Sequence, residues 1–447
     1  MKASKVIWLP VGARRVMMKK LLWNWYLVLA FACSIQPVAA IAQAASFALQ
    51  SGDRVVFYGD SITEQQYYTR FVELYTLTRF PSNHVIFLMS GVSGDKVNGG
   101  GGGTIDQRLP RDVFDLKPTI VTIMLGMNDG YYRPYDAGIL HTYERGYTYI
   151  LDEIKTHVPV AKVVNLRPSP YDEITRTGSG IQGYNGFLVQ MGDSVARLAA
   201  ERKMAVVDPN APMVEVLTNA KASDPGLAPM LIADHVHPGP GMHWIMADVL
   251  LKGWNASPVV TTVTLNGARG VAISSANSLV TDVKLLDREL SWTQLDKALP
   301  LPLPATATEP VTALALRSST VIQDLDQELL TVTNLHEGRY ELGIDGSSVG
   351  VFTSEELLKG INLATLDTPM RRQAMMVLLA NDGKISLDTN RNHLLRNVPS
   401  PENDRILAAV KIALDAADAE QWRLAQPIQH RYTLQSARQQ VSHRTAL

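Results

Sequence analysis

Between residues 54 and 254, short runs of β-branched and other apolar residues alternate with amphipathic segments of helical period. This alternation restricts the fold most, because parallel strands need crossover connections and those crossovers are right-handed. We therefore predict a parallel sheet with helices on both faces, and with the loops that follow the strands gathered at one edge. The predicted strands are residues 54–58, 84–89, 119–125, 161–166 and 204–207.

The first predicted strand ends in Gly59-Asp60-Ser61, and a helix follows, with Thr63 and Gln66 at capping-box spacing. Ser61 is therefore expected at a strand-to-helix turn, on the edge where open α/β sheets bind ligands and near a helix N-terminus that favours negative charge. A nucleophile suits this position. Because the same tripeptide recurs within a helical stripe that contains Ser194, and because these residues are common in ordinary turns, the tripeptide alone is weak evidence.

The loops after the second and third strands carry groups that suit a developing oxyanion. Gly94 lies in the first of these loops, and glycine lets a backbone N–H group approach a ligand closely. For the five consecutive glycines at residues 99–103 we expect a flexible surface loop. In the second loop, the side-chain amide of Asn128 is placed to donate to the same oxyanion, although asparagine is equally common as a plain turn residue.

The segment Asp234-His235-Val236-His237 follows the fifth strand. An acid three residues before a histidine can accept a hydrogen bond from Nδ1–H and leave Nε2 to take a serine proton, which favours His237 as a base. His235 is adjacent to the acid and badly placed for this, and His243 falls in the next helix, where packing or capping is the simpler role. A metal site is a weaker alternative because the spacing matches no zinc helix motif, so we predict no metal and no cofactor.

Taken in order, Gly59-Asp60-Ser61, Gly94, Gly126-Met127-Asn128-Asp129 and Asp234-His235-Val236-His237 resemble the four blocks of the SGNH hydrolases, the GDSL-type esterases and lipases. The resemblance covers about residues 53–254 and implies a flavodoxin-like three-layer α/β/α fold with strand order 2-1-3-4-5. It also implies Ser61 as nucleophile, His237 as base, Asp234 as the orienting acid, and the Ser61 amide, the Gly94 amide and the Asn128 side chain as oxyanion donors. The sequence departs from the family pattern at Ser90, because an asparagine often opens the second block. This difference concerns the local geometry of the loop.

Residues 1–44 contain six basic residues, no acidic residue, an apolar run at about 21–35 and small residues around 40–44. The run is too short for a comfortable membrane span, so the pattern predicts a cleaved signal peptide and export to the periplasm or the exterior, with an uncleaved anchor as the alternative. Without this segment the chain has 36 basic and 43 acidic residues, a net charge of −7, and no cysteine. These counts exclude a nucleic-acid-binding basic stripe and cysteine chemistry, and we expect no stable membrane insertion after cleavage.

About 400 residues remain after residue 44, more than one ordinary domain. We predict a signal peptide at 1–44, a catalytic domain at 45–256, a β-rich accessory domain at 257–366 and a C-terminal helical segment at 367–447. Proline residues between 300 and 310 indicate an exposed connection inside the accessory domain. One closing helix is expected to begin at Pro369 and end near Gly383, a second to begin at Pro401, and the tail after about Leu434 to be loose.

These features predict a secreted serine ester hydrolase that works through an acyl-enzyme. Tyr131, Tyr132 and Tyr135 lie in a proline-containing loop after the third strand, and their flat faces suit sugar rings. The expected substrate is therefore a short acyl ester, with acetyl favoured, on a small molecule or polysaccharide. The alternatives are a lysophospholipase or other lipid-type acyl hydrolase, and a non-catalytic glycan-binding protein on a hydrolase fold.

Overall fold

The structure is a computed structural model that describes residues 46–303, 309–396 and 400–437. The predicted signal peptide lies outside these residues. Within the described ranges, no helix combines the length and the apolar character that crossing a bilayer requires.

A parallel sheet organises the first half of the described chain, and its strands begin and end within two residues of the predicted ones. The strands up to residue 207 are β1 (Arg54–Gly59), β2 (Ile86–Gly91), β3 (Gly99–Gly100), β4 (Gly103–Thr104), β5 (Ile120–Met124), β6 (Lys162–Leu166) and β7 (Ala205–Val207). The sheet has the order β2-β1-β5-β6-β7 with every neighbouring pair parallel, which confirms the flavodoxin-like topology. Its central strands are buried on both faces, as expected where helices cover a sheet on two sides.

Helices connect these strands. They are α1 (Ser61–Glu64), α2 (Tyr67–Arg79), α3 (Ile105–Leu109), α4 (Ala137–His157), α5 (Tyr184–Glu201), α6 (Asn210–Ser223) and α7 (Pro240–Gly253), with a π-helical turn at Pro110–Phe114 and a 3₁₀ turn at Ala228–Met230. The single helix predicted after β1 is in fact two, because Gln66 adopts a left-handed conformation between α1 and α2. The predicted capping box is therefore wrong: Thr63 lies inside α1, where its Oγ1 is 3.0 Å from the Tyr68 hydroxyl.

The five-glycine run forms a small antiparallel hairpin of β3 and β4 rather than an irregular loop. Gly99 and Gly103 have positive φ angles of 93° and 112°, which only glycine adopts readily. A Cβ at Gly102 would lie 2.7 Å from Cδ of Arg108, so the hairpin packs directly over that side chain.

Two further sheets follow residue 257, as the sequence predicts. Their strands are β8 (Val259–Asn266), β9 (Val271–Ala276), β10 (Ser278–Leu286), β11 (Glu289–Asp296), β12 (Gln327–Thr333), β13 (Arg339–Ile344), β14 (Ser347–Thr353), β15 (Ile361–Asn362) and β16 (Gln429–Ser436). One sheet has the order β10-β11-β16-β13-β14 and the other β15-β12-β8-β9. The helices among and after them are α8 (Pro310–Arg317), α9 (Val321–Leu325), α10 (Ser354–Lys359), α11 (Pro369–Arg396) and α12 (Pro401–Leu424), with a 3₁₀ turn at Leu363–Thr365.

The proline-rich connection is buried rather than exposed at residues 298–303, so the prediction is wrong there, whereas Glu309 and Pro310 are exposed. Leu299 and Leu301 have no solvent exposure. The N–H of Leu299 donates to Thr78 O at 2.8 Å, and the N–H of Leu301 donates to Asp326 Oδ1 at 2.8 Å. In an alternating leucine and proline sequence, every second side chain is a leucine. Here the leucine side of the segment lies against the end of α2.

The C-terminal segment differs from prediction in two respects. Helix α11 continues through Gly383 to Arg396, and residues 429–436, most of which were predicted to be helical, form β16 between β11 and β13. The tail expected to be loose after about Leu434 lies mostly outside the described residues. Helix α12 begins as predicted, with the Ser400 hydroxyl accepting the Asn403 N–H at 3.1 Å. The domain boundaries at 256 and 366 stay predictions.

Helix α11 packs on α2, and α12 packs on α11 and contacts the loop before β2, a question that the sequence left open. Lys384 of α11 lies 2.5 Å from Glu73 of α2 and 2.7 Å from Asp418 of α12, and all three side chains are largely buried. The Trp422 ring stacks on His84 with centroids 4.2 Å apart. The helices therefore join the β-rich part of the chain to the parallel sheet.

Candidate active site

Ser61 is the first residue of α1, directly after β1. Asp60 caps this helix, with Oδ1 accepting the Ile62 N–H at 3.0 Å. A Cβ at Gly59 would lie 2.2 Å from Thr63 Oγ1 and 2.8 Å from the Met124 carbonyl oxygen, so only glycine permits the turn. The tight turn brings the serine to the carboxyl end of β1.

The segment before α7 brings a histidine and an acid to this serine. His237 Nε2 lies 2.9 Å from Ser61 Oγ, and His237 Nδ1 lies 2.6 Å from Asp234 Oδ2. Asp234 Oδ1 also accepts the N–H groups of Val236 at 3.0 Å and of His237 at 2.7 Å. Burial raises the pKa of Asp234, but these hydrogen bonds outweigh it and hold the pKa below its usual value. The carboxylate can therefore orient an imidazole whose free nitrogen faces a hydroxyl.

Two of the predicted oxyanion donors lie in the neighbouring strand-end loops. Gly94 is exposed after β2 with a φ of 76°, and its N–H finds no acceptor in the part of the chain that the structure describes. The Asn128 side chain donates from Nδ2 to the Asp95 carbonyl oxygen at 3.1 Å. Because an amide nitrogen carries two hydrogens, the second remains for another acceptor.

The three loop tyrosines are not equivalent. Tyr131 and Tyr135 are each 52% exposed, whereas Tyr132 is half-buried and donates its hydroxyl hydrogen to Asn128 Oδ1 at 2.8 Å. Burial raises the pKa of Tyr132 to about 12, so this donor stays protonated at neutral pH. Tyr132 thus sets the orientation of the Asn128 amide, while Tyr131 and Tyr135 are exposed to solvent.

The competing residues lie in other environments. Ser194 is buried on α5 and donates to Glu144 at 2.8 Å. His243 is fully buried, which lowers its pKa to about 3, and its Nε2 lies 2.9 Å from Gln65 Oε1. His235 Nδ1 is 2.7 Å from the Asp172 carbonyl oxygen. Neither His235 nor His243 makes a hydrogen bond to Ser61 within the described chain, and no group of three or more His, Asp or Glu side chains described there is arranged to hold a metal.

A buried ion cluster supports the loop after β2, and the sequence offered no sign of it. The Arg108 guanidinium has no solvent exposure, contacts Asp95 at 2.5 Å, contacts Asp112, and donates to the Ser90 carbonyl oxygen at 3.1 Å. Ser90, the departure from the expected asparagine, donates its hydroxyl hydrogen to the Asp112 carbonyl oxygen at 2.6 Å. A charged residue in a polar segment usually predicts a solvated side chain, so only the packing identifies Arg108 as a support.

Two acidic side chains beside the site, Asp60 and Asp129, have raised pKa values. Burial raises the pKa of Asp60 to about 7, although the hydrogen bond from Ile62 acts in the opposite direction. Burial likewise raises the pKa of Asp129 to about 7, although the hydrogen bond from the Val97 N–H lowers it. These carboxyl groups therefore change charge near neutral pH.

The raised pKa of Asp60 predicts a pH-dependent stability. The folded state binds its proton more tightly than the unfolded chain, whose pKa is near 3.8, so this contribution is present at low pH and is lost as pH rises through about 7. Asp60→Asn retains an oxygen for the Ile62 N–H but cannot ionise. We expect the free energy of unfolding of the wild type to fall relative to Asp60→Asn by about 1–3 kcal/mol between about pH 5 and about pH 8, measured by urea unfolding. An unchanged difference between the two proteins would contradict this.

Comparison with known proteins agrees with this geometry. Residues 57–245 match the model of the GDSL-like lipase/acylhydrolase family. The chain is 28% identical over 222 residues to an acetylxylan esterase of Geobacillus stearothermophilus, a match that covers 45% of this chain and 94% of the relative. Among solved structures, a gut microbial diltiazem-metabolizing enzyme matches with a TM-score of 0.77 and 24% identity, covering 87% of this chain and 98% of that one.

The structural match extends beyond the parallel sheet, since 87% of the chain is superposed, and at this identity it supports the fold. The family match at residues 57–245 contains the end of β1, the strands β2 to β7 and the loops with Ser61, Asn128 and His237. Residues 57–245 therefore form a GDSL-like lipase/acylhydrolase domain of the SGNH hydrolase superfamily, and the protein is a carboxylic ester hydrolase.

Proposed function

We propose that this protein is an exported serine esterase that removes short acyl groups, above all acetyl, from carbohydrate through an acyl-enzyme intermediate. The observation that carries the proposal is the relay from Ser61 Oγ to His237 Nε2 at 2.9 Å and from His237 Nδ1 to Asp234 at 2.6 Å. The basic, apolar and small-residue pattern of residues 1–44 supports export.

In the acylation step, His237 Nε2 accepts the proton of Ser61 as Oγ attacks the ester carbonyl carbon. The Ser61 and Gly94 N–H groups and the Asn128 Nδ2 stabilise the resulting oxyanion. The tetrahedral intermediate collapses when His237 returns the proton to the sugar oxygen, which leaves as the alcohol. Water then attacks the acyl-serine by the same route, and the carboxylic acid leaves. Asp234 holds Nδ1–H throughout and stabilises the imidazolium.

The mouth of the site favours a carbohydrate. The exposed Tyr131 ring lies near two cations, with Lys96 Nζ 5.0 Å and Arg133 Cζ 5.8 Å from its centroid. Such a surface offers flat faces and polar donors, which suit a sugar better than a hydrocarbon chain. The name of the Geobacillus stearothermophilus relative, acetylxylan esterase, points in the same direction.

The relay predicts which serine and histidine matter. Ser61→Ala and His237→Ala should each lower kcat for p-nitrophenyl acetate by roughly 10³-fold to 10⁶-fold, because each removes a group that takes part in bond making. Ser194→Ala and His157→Ala are the matched controls and should retain activity, since Ser194 contacts Glu144 and His157 is an exposed residue at the end of α4. Background rates in the wild type as well as in Ser61→Ala would instead favour the non-catalytic glycan-binding alternative.

The proposed role of Asn128 as an oxyanion donor predicts that its removal lowers kcat and leaves KM nearly unchanged. Asn128→Ala should lower kcat by roughly 10²-fold to 10³-fold with little change in KM, because an oxyanion donor acts on charge that develops during attack. Tyr132→Phe removes the hydroxyl that orients this amide and should give a smaller loss of the same kind. A rise in KM with kcat preserved would make Asn128 a substrate-binding residue.

The substrate is tested by comparing acyl length with acetate release. We expect rates to fall from p-nitrophenyl acetate to longer esters, and acetate to be released from acetylated xylan or another acetylated glycan. A lipid-type pocket would instead reward added length, at ~0.8 kcal/mol per buried CH₂. Preference for chains of about eight carbons or more, with no acetate from any glycan, would favour the lysophospholipase alternative.

A further inference from the structure

A single carboxylate connects the helix that begins with Ser61 to the loop that contains Gly94. Glu64 is the last residue of α1, and its Oε2 accepts the Ser93 N–H at 2.9 Å and also the Ser93 hydroxyl. Ser93 immediately precedes Gly94. The distance between the serine turn and the Gly94 N–H is thus set partly by one side chain that is neither nucleophile nor donor.

The C-terminal helix α11 supplies the partner of this carboxylate. Arg396, its last residue, donates from Nη1 to Glu64 Oε1 at 2.9 Å and from Nη2 to the Gly91 carbonyl oxygen at 2.8 Å. The Arg396 side chain is 20% exposed and that of Glu64 is 31% exposed, so the pair is only partly accessible to water. One guanidinium therefore contacts both α1 and the end of β2.

Close packing at this junction leaves little freedom. A Cβ at Gly91 would lie 2.2 Å from the Glu64 N and 2.6 Å from the Thr63 carbonyl carbon, so α1 and the end of β2 are in direct backbone contact. Burial raises the pKa of Glu64, but hydrogen bonds from Ser93 and Arg396 outweigh it, and the pKa lies below its usual value. Glu64 is thus an anion with both oxygens occupied.

We propose that Arg396 is a positioning residue: through Glu64 and Ser93 it holds the Gly94 N–H in register with Ser61, so that the C-terminal helix completes the oxyanion site. The inference rests on the proposed function for its effect on catalysis. It assigns a role in the active site to a residue about 150 positions beyond the matched family domain, residues 57–245. The reason is geometric, because a misplacement of about 1 Å at a reacting centre can cost about 10²-fold in rate.

Other contacts of α11 supply a matched control. Asp382 of α11 lies 2.5 Å from Arg70 of α2, so this ion pair also attaches the helix to the parallel-sheet region. Arg70 contacts neither α1 nor the loop before Gly94 among the described contacts. Arg70→Ala therefore removes an arginine anchor of the same helix without disturbing Glu64.

The experiment compares Arg396→Ala, Arg396→Lys and Arg70→Ala, using kinetics with p-nitrophenyl acetate and hydrogen exchange of a peptide that covers residues 91–98. We expect Arg396→Ala to lower kcat about tenfold to 100-fold with KM changed less than about twofold, and to speed exchange at Ser93 and Gly94. Arg396→Lys should restore part of kcat, since lysine keeps the charge but not the second contact. Arg70→Ala should leave kcat and this exchange unchanged even if it lowers the melting temperature.

Glu64→Gln provides a second test through additivity. If Arg396 acts through Glu64, the double variant Glu64→Gln/Arg396→Ala should lose little more activity than Glu64→Gln alone. Equal effects of Arg396→Ala and Arg70→Ala, or unchanged exchange at residues 91–98 in Arg396→Ala, would overturn the inference. An inactive wild type would contradict the proposed function, whereas the exchange measurement judges the role of Arg396 without activity.

Discussion

The hydrogen bond between Ser61 and His237 joins residues 176 positions apart, so it forms only when the fold brings the two loops together. A parallel sheet provides the means, because all of its strands deliver their carboxyl ends to one edge. The order β2-β1-β5-β6-β7 places β1 in the interior of the sheet with β2 and β5 on either side. The loops of these three strands hold Ser61, Gly94 and Asn128, so neighbours in the sheet become neighbours in the proposed chemistry.

A buried ion cluster around Arg108 supports the loop after β2. Arg108 is fully buried between Asp95 and Asp112, and its guanidinium also contacts the Ser90 carbonyl oxygen. A planar guanidinium satisfies several acceptors at set angles, whereas apolar packing tolerates small rotations. The cost of burying these charges is offset by their mutual contacts, and removing one partner would leave an uncompensated charge. The loop that contains Gly94 is thus held by ion pairs and a hydrogen bond of defined direction.

The C-terminal half is tied to the same edge of the parallel sheet. Strand β16 lies between β11 and β13, so the chain returns from α12 to the centre of a sheet begun more than 130 residues earlier. Helix α11 lies on α2 through Lys384 and Glu73, and its end at Arg396 contacts Glu64. The β-rich part and the closing helices therefore form a scaffold that reaches the candidate site through one helix end.

Periodicity and spacing were sufficient to predict the parallel sheet, the turn at Ser61 and the pairing of Asp234 with His237, because these depend on residues that are close in sequence or on a general rule for crossovers. The single helix after β1, the exposed proline connection at residues 298–303 and the helical character of residues 429–434 were predicted wrongly. The helix is divided locally by the left-handed Gln66, whereas the other two depend on distant partners: Leu299 lies against Thr78, and β16 pairs with β11 and β13.

The amino-acid sequence by itself determined the layered fold and singled out a serine, a histidine and an acid as candidates for the site. Only the tertiary structure decided what surrounds them: which tyrosine orients Asn128, which arginine is buried under Gly94, and which helix end holds Glu64. The physical reason is that local pattern encodes which face of an element is apolar, whereas the partner of a polar side chain is chosen by packing across the whole chain. A hydrogen bond between residues hundreds of positions apart does not show in the periodicity of the sequence.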